Sequence, residues 1–266
     1  MPPPIARMPP IFCIVSLGRK RGKTTLIEWL LKKLSERGIS AASIKHSREG
    51  FDARDKDTWR HLEAGSLEVV YVSPSELVSI RRTSASIEDA LEAFHIEPDV
   101  ILVEGFKEAP YPKILCASDL SEVEEAAKKL RNVIAATGEI TLKDVQEISE
   151  IKVVTREEIL RIIEDAVRKS WINRIPGLNC GKCSYGSCAA LARAIEEGRA
   201  TIRDCVMRSF IAARLVIDGE EVPLGTWPQK LLRELLKAFV KSLKLKDLDV
   251  ESARKILLEV RLQDLE

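Results

Sequence analysis

Residues 11–38 read IFCIVSLGRKRGKTTLIEWLLKKLSERG, and the order of residue types along them decides the fold. Ile11 to Leu17 is an apolar run of strand length bounded by Pro10 and Gly18, as expected of a strand buried on both faces. From Thr24 to Arg37 the period changes. Leu26, Ile27, Leu30, Leu31 and Leu34 recur at helical spacing, and Gly38 stands where a helix stops. Strand, glycine-containing turn and helix in that order open a βαβ unit.

Working outward, strand candidates recur at Ala42 to Lys45, Val69 to Val72, Glu76 to Ile80, Val100 to Glu104, Lys113 to Cys116 and Val133 to Ala136. Helical runs fall between several of them, near Asp57 to Ala64, Ser86 to Phe94 and Ser121 to Leu130. Alternation on this scale predicts an α/β fold, a mostly parallel sheet with helices on both faces. Thr155 to Lys169 opens on a capping box, Thr155 with Glu158, and reads as the last helix of a first domain. After Ser170 the texture changes. Residues 174–188, RIPGLNCGKCSYGSC, have no hydrophobic period and read as an ordered loop that needs something besides a core to hold it. An Ala-rich helix from about Ala189 to Glu197 follows, then a hairpin within Ala213 to Leu224 around Asp218-Gly219. A capping box of Thr226 with Gln229 is expected to start a helix whose stripe includes Leu231, Leu235 and Phe239, and residues 256–262 alternate as a half-buried strand. The division expected is a flexible lead over 1–9, a first domain over 10–170 and a small α+β domain over 171–266, with Met8 beside Met1 as a candidate start.

The turn Gly18-Arg19-Lys20-Arg21-Gly22-Lys23-Thr24-Thr25 carries chemistry. In a turn of this kind successive backbone N–H groups point at a phosphate, the helix start adds the positive end of its dipole, a Lys reaches the β/γ oxygens and a Thr hydroxyl meets Mg²⁺. Lys23 and Thr24 take the last two roles, Gly18 to Thr25 form the nucleotide-binding turn, and the first domain is therefore expected to be P-loop NTPase-like. The usual G-x-x-x-x-G-K-[ST] has its first Gly where Leu17 stands, so the spacing here is G-x-x-x-G-K-T. The competing reading is a basic, solvated turn. A P-loop also needs an acidic group at the end of a neighbouring strand. Val100 to Glu104, followed by Gly105, supplies Glu104 for Mg²⁺ or for orienting water. Lys45 and His46 stand at the carboxyl end of the second strand, where open α/β sheets bind ligands, and are nucleotide-binding candidates. Alone, His46 would read as structural.

Composition narrows the functions. The 266 residues carry 42 basic and 41 acidic side chains, so the basic excess of a nucleic-acid binder is missing. No apolar stretch approaches the roughly 18 residues of a membrane span, and the N-terminal MPPPIARMPP has no long apolar core of a secretory signal, so a cytoplasmic protein is expected. In that setting six cysteines argue for metal or redox chemistry over disulfides. Cys13 and Cys116 lie in apolar strand runs and read as inert core. Cys180, Cys183, Cys188 and Cys205 make C-x2-C-x4-C-x16-C. Three thiolates from one Gly-rich loop and one remote thiolate suit a [4Fe-4S] cube, with Gly181 and Gly186 letting the backbone wrap it. Zinc and unligated thiols stand beside that reading.

Residues 11 to about 137 resemble molybdopterin-guanine dinucleotide biosynthesis protein B. The resemblance lies in GKTTL at Gly22 to Leu26, Ile44-Lys45-His46, Asp55-Lys56-Asp57-Thr58 followed by Ala64-Gly65, Val103-Glu104-Gly105-Phe106-Lys107, and Pro112-Lys113-Ile114. Pro176 to Cys205 resembles the [4Fe-4S] domain of corrinoid iron-sulfur protein large subunits and of electron-transfer subunits of membrane redox complexes. The first resemblance implies a protein that binds GTP with Mg²⁺, hydrolyses it slowly and assists a molybdopterin guanylyltransferase, or the wider molybdoenzyme apparatus, in molybdenum or tungsten cofactor biosynthesis. Lys23, Glu104 and Asp57 would then be its catalytic residues, and a homodimer is an open expectation. Family members usually carry Gly at the positions of Leu17 and Lys20. An N-K-x-D guanine reader is absent, with Thr141-Leu142-Lys143-Asp144 a faint echo, so GTP over ATP rests on the resemblance. Two other functions stay open: a nucleotide-driven iron-sulfur protein delivering electrons to a corrinoid or other metalloenzyme, and a non-catalytic scaffold for nucleotide and cluster.

Overall fold

The computed structural model describes residues 8–47, 57–83, 85–140, 151–209, 213, 215–217, 220–243, 256, 258 and 260. The chain divides into two units, 8–167 and 168–266, the break falling within one helix.

In the first unit the strands are β1 (Ile11–Val15), β2 (Ala41–Lys45), β3 (Glu68–Val72), β4 (Leu77–Arg81), β5 (Val100–Glu104), β6 (Lys113–Ala117), β7 (Val133–Gly138) and β8 (Lys152–Val153). Its helices are α1 (Lys23–Glu36), α2 (Asp57–Glu63), α3 (Ile87–Glu92), α4 (Leu120–Lys129) and the start of α5 (Arg156–Asn173). Six strands form one sheet in the order β2-β5-β1-β6-β7-β8, and every pairing in it is parallel. β1 and β6 are buried along their whole length, as strands covered on both faces must be. From β1 the chain crosses through α1 towards β2, and from β6 through α4 towards β7. Right-handed crossovers in opposite directions put these two helices on opposite faces and open a crevice at the carboxyl ends of β1 and β6.

Local chemistry sets the boundaries. Gly22, at φ 75°, caps the start of α1, and Gly38, at φ 70°, ends it. The Gly38 N–H donates to Ser35 at 3.0 Å and the Ile39 N–H to Leu34 at 3.0 Å, which is the Schellman pattern. Leu26, Ile27, Leu30 and Leu34 bury the inner face of α1. At the other end of the sheet, the Asp99 carboxylate accepts from the Ser40 N–H at 2.8 Å and hydroxyl at 2.6 Å, joining the starts of β2 and β5. Lys113, fully buried at the start of β6, donates from Nζ to the carbonyls of Ala109 at 2.5 Å and Tyr111 at 3.2 Å, which holds the loop after β5. The expected box of Thr155 and Glu158 forms, with each residue bonded to the other's backbone or side chain.

The structure corrects two expectations. β3 and β4 pair antiparallel in a sheet of their own and do not join the parallel sheet. Only residues 73–76 connect them, too few for the crossover that parallel neighbours require. In the second unit, Thr226 and Gln229 form no capping box. Gly225 is the cap of α8 (Thr226–Ser242), because the Thr226 hydroxyl is engaged by Lys182 and Met207 while Gln229 Nε2 donates to the Leu224 carbonyl at 2.8 Å.

The second unit also holds α6 (Cys188–Glu196), a 3-10 turn (Ile202–Asp204), α7 (Val206–Ser209) and an antiparallel pair, β9 (Leu215–Ile217) with β10 (Glu220–Val222). Trp171, Leu191, Ile195, Ile202 and Met207 are among its buried residues. Of the strand expected over 256–262 only Ile256, Leu258 and Val260 are described, none in a strand. The segments 1–7, 52–56 and 141–150 and the Asp218-Gly219 turn also lie outside the described residues, and with them most of the lead, the acidic loop and the N-K-x-D echo.

Candidate functional site

The basic turn sits where β1 meets α1. Lys20 and Gly22 both have left-handed backbone, φ 55° and 75°. Lys20 thus occupies a conformation suited to glycine, at one of the positions where the resembling family usually has that residue. Ser16, buried at the end of β1, orders the turn: its hydroxyl donates to the Gly18 carbonyl at 2.6 Å and accepts from Lys23 Nζ at 2.9 Å. Sequence reading missed Ser16 because it lies inside an apolar run. Arg19 is exposed. Arg21 turns away to Glu122, which it meets at 2.8 Å from Nε and 2.6 Å from Nη2. Burial pushes the Glu122 carboxyl up, but the Ser118 N–H at 2.9 Å and the Arg21 charge outweigh it and hold the group below its ordinary range.

Glu104 closes the other side. β5 lies beside β1 with Glu104 in register with Ile14, and the Thr24 hydroxyl on the first turn of α1 donates to Glu104 Oε1 at 3.0 Å. On the far side of β5, Lys45 of β2 is the register partner of Glu104, and the His46 N–H donates to the Glu104 carbonyl at 3.0 Å. The His46 ring stacks on Phe106, with centroids 4.3 Å apart. Gly105, at φ 97°, makes that approach possible: a Cβ there would stand 3.2 Å from His46 Cβ. Lys23, Thr24, Glu104, Lys45 and His46 are therefore gathered at neighbouring strand ends. Asp57 is on the first turn of α2, exposed, with Arg60 as its ion-pair partner at 3.4 Å. Among the described residues no hydrogen bond joins it to Thr24 or Glu104.

A cleft of about 480 Å³ opens next to the turn. Lys20, Arg21, Gly22 and Thr25 line one side, and residues at the ends of β6, β7 and β8, including Ser118, Thr137, Glu139 and Thr155, line the other. Trp29 and Arg156 also border it, the guanidinium 4.8 Å from the indole centroid. These residues are scattered through the sequence, and no local pattern announces them. Cys116 lines the cleft too, but burial pushes its thiol up to about 12, and burial pushes that of Cys13 up to about 11, so both are neutral at ordinary pH.

In the second unit, Cys180, Cys183, Cys188 and Cys205 all line one pocket together with Leu191 and Met207. Gly181 and Gly186, at φ 66° and 73°, turn the loop around it. Asn179 Oδ1 accepts the Cys188 N–H at 3.0 Å, and Ser187 caps α6 so that Cys188 is its first residue. Cys180 is exposed and Cys205 buried. Lys182, between the first two cysteines, donates from Nζ to the Thr226 hydroxyl at 2.6 Å, and that hydroxyl lies 3.8 Å from Met207 Sδ. Among the described residues no three His, Cys, Asp or Glu side chains are grouped to hold a single metal ion. Four soft thiol donors in one glycine-wrapped pocket fit an iron-sulfur cluster.

The family model for molybdopterin guanine dinucleotide synthesis protein B matches residues 11–139, and the one described as "Putative Fe-S cluster" matches 175–207. A Methanocaldococcus jannaschii protein named "Putative molybdopterin-guanine dinucleotide biosynthesis adapter protein" is 29% identical over 252 residues, 92% of this chain and 94% of the relative. The molybdopterin-guanine dinucleotide biosynthesis adapter protein of Haemophilus influenzae is 34% identical over 140 residues, 49% of this chain and 79% of its own. A component of the ion-translocating oxidoreductase complex of Methanosarcina acetivorans is 30% identical over 74 residues, 27% of this chain and 28% of its own. The chain belongs to the molybdopterin guanine dinucleotide synthesis protein B family and carries an Fe-S cluster domain behind the family's core.

Proposed function

We propose that this protein is an adapter in molybdopterin-guanine dinucleotide biosynthesis that binds GTP with Mg²⁺ in its first unit and a [4Fe-4S] cluster in its second. The observation that carries the nucleotide half is the Thr24 to Glu104 hydrogen bond beside Lys23: a hydroxyl, a carboxylate and an ammonium at the start of one helix and the end of the adjacent strand. Backbone N–H groups from Gly18 to Thr25 cradle the phosphates, Lys23 leaves Ser16 for the β/γ oxygens, and Thr24 and Glu104 are the Mg²⁺ ligands or water holders. The base enters the cleft beside Lys20 and Gly22. Lys45 and His46 flank the outer phosphate. The preference for GTP comes from the family. Slow turnover belongs to the same family reading, with Asp57, on the exposed first turn of α2, as its candidate third catalytic residue. The bound nucleotide biases the adapter's engagement with the guanylyltransferase.

The second unit's four thiols line one pocket, three of them from a single glycine-containing loop, and this donor set supports the cluster reading. A homodimer belongs to the same reading, supported by the exposed Val70, Val72 and Leu77 of the β3–β4 hairpin. The test is oxygen-free purification followed by iron, sulfide and zinc analysis and GTP and ATP titrations with and without Mg²⁺. Iron and sulfide in equal amounts, with Mg²⁺-dependent GTP binding, are expected. Zinc without sulfide removes the cluster, and equal weak binding of both nucleotides removes the GTP assignment.

A further inference from the structure

The cleft beside the phosphate turn is lined mainly by neutral and basic side chains, and Glu139 is the one acid among the described residues that border it. It follows directly on β7, the second strand from β1 in the sheet, with β6 between them. Neighbouring strands stand about 4.8 Å apart, so the end of β7 lies two spacings, about 10 Å, to the side of the strand that carries the turn. That is the reach of one nucleoside. Gly138 fixes where Glu139 begins: it is the register partner of Ala117 in β6, whose carbonyl oxygen leaves no room for a Cβ at Gly138. Among the described residues Glu139 has neither a hydrogen bond nor an ion pair, whereas Arg21 on the opposite wall is held by Glu122.

We propose that Glu139 selects guanine over adenine, its two carboxylate oxygens accepting the N1–H and an N2–H of the base. The inference rests on the nucleotide reading above and names the residue that reads the base. An ionised carboxylate accepts hydrogen bonds and donates none, and phosphates repel it, so in a nucleotide's cleft it has to meet the part of the ligand that donates. Guanine offers two adjacent donors on one edge. Adenine places the lone pair of N1 at the same point, so the carboxylate would face another acceptor and lose its water without a partner in return. Trp29 and the Arg156 guanidinium, 4.8 Å from the indole centroid, border the same cleft and are planar groups of the kind on which bases stack. Stacking accepts any base, which leaves the choice of base to the carboxylate.

The experiment is isothermal titration of the full chain and of Glu139→Gln with GTP, ATP and xanthosine triphosphate, all with Mg²⁺. The parent is expected to bind GTP at least tenfold more tightly than the other two. Glutamine keeps one acceptor and gains an amide donor, which matches xanthine, whose C2 carries a carbonyl in place of guanine's amino group. Glu139→Gln should therefore lose about tenfold in GTP affinity and gain about tenfold for xanthosine triphosphate, with circular dichroism unchanged. A gain for one ligand cannot come from a damaged fold. In a parent that prefers GTP, a ratio of GTP to xanthosine triphosphate affinity that the variant leaves unchanged overturns this inference and leaves the nucleotide reading standing. Equal losses for GTP and ATP also overturn it, since Glu139 would then meet the ribose or only support the cleft. A parent that binds neither nucleotide, or both equally, removes the GTP reading and this inference together.

Discussion

The Thr24 hydroxyl donates to Glu104 Oε1 at 3.0 Å, joining the first turn of α1 to the end of β5 across 80 positions of sequence. The bond is exposed, so its own worth to stability is about 1 kcal/mol or less. Its importance is positional: it holds a hard oxygen pair beside Lys23 before any ligand arrives. Thr24→Ala and Glu104→Gln are expected to leave the melting temperature almost unchanged and to lower GTP affinity about tenfold with Mg²⁺ present. With EDTA the variants should match the parent. An equal loss in both conditions would remove the metal role.

Ser16 holds Lys23 and the Gly18 carbonyl together. Lys23→Met should abolish measurable nucleotide binding with the fold intact, and Ser16→Ala should weaken binding less than Lys23→Met does, by roughly threefold to tenfold, because the lysine survives but its turn is less ordered. Isothermal titration separates the two. A Ser16 variant as defective as the Lys23 variant would make the serine a direct ligand.

The Glu122 carboxylate that tethers Arg21 yields a pH prediction. Its folded pKa is depressed, so the stability it contributes is present above the unfolded value of about 4.3 and is lost as pH falls through the folded value. The parent should therefore lose melting temperature on acidification below about pH 4 more steeply than Glu122→Gln, which has no carboxylate to titrate. Parallel acid profiles would contradict the tether.

Gly138 ends β7 at φ 144°, and a Cβ there would lie 2.0 Å from the Ala117 carbonyl oxygen of β6. Backbone cannot swing aside as a side chain does, so Gly138→Ala should cost on the order of 2–4 kcal/mol in urea denaturation and deform the cleft. A cost below about 0.5 kcal/mol would mean that β6 and β7 separate readily at this point.

The two classes of cysteine should separate cleanly. Cys205→Ser or Cys188→Ser is expected to abolish the visible charge-transfer absorption of a cluster and to release iron, whereas Cys13→Ser, a buried neutral thiol, should keep the absorption and lose only stability. Retained absorption in the Cys205 variant would point to another fourth ligand.

The sequence alone determined the strand, turn and helix over 11–38, the parallel α/β class, the four cysteines that line one pocket and most element boundaries to within a residue or two. These depend on local rules: period-two and period-3.6 patterns, capping residues, and a spacing of thiols within one loop. Glu104 was legible because it ends a buried strand before a glycine. What only the tertiary structure decided are contacts that no local residue pattern announces. Ser16 looked like part of a hydrophobic run and proves to be the brace of Lys23. Arg21, one of the basic residues at the mouth of the turn, pairs with Glu122, 101 positions away. β3 and β4 have the residue pattern of sheet strands, but strand propensity does not say which sheet, and a four-residue connection permits only a hairpin. Thr226 has the spacing of a cap but is drawn instead to Lys182. In each case burial and geometry, which no local window contains, chose the partner.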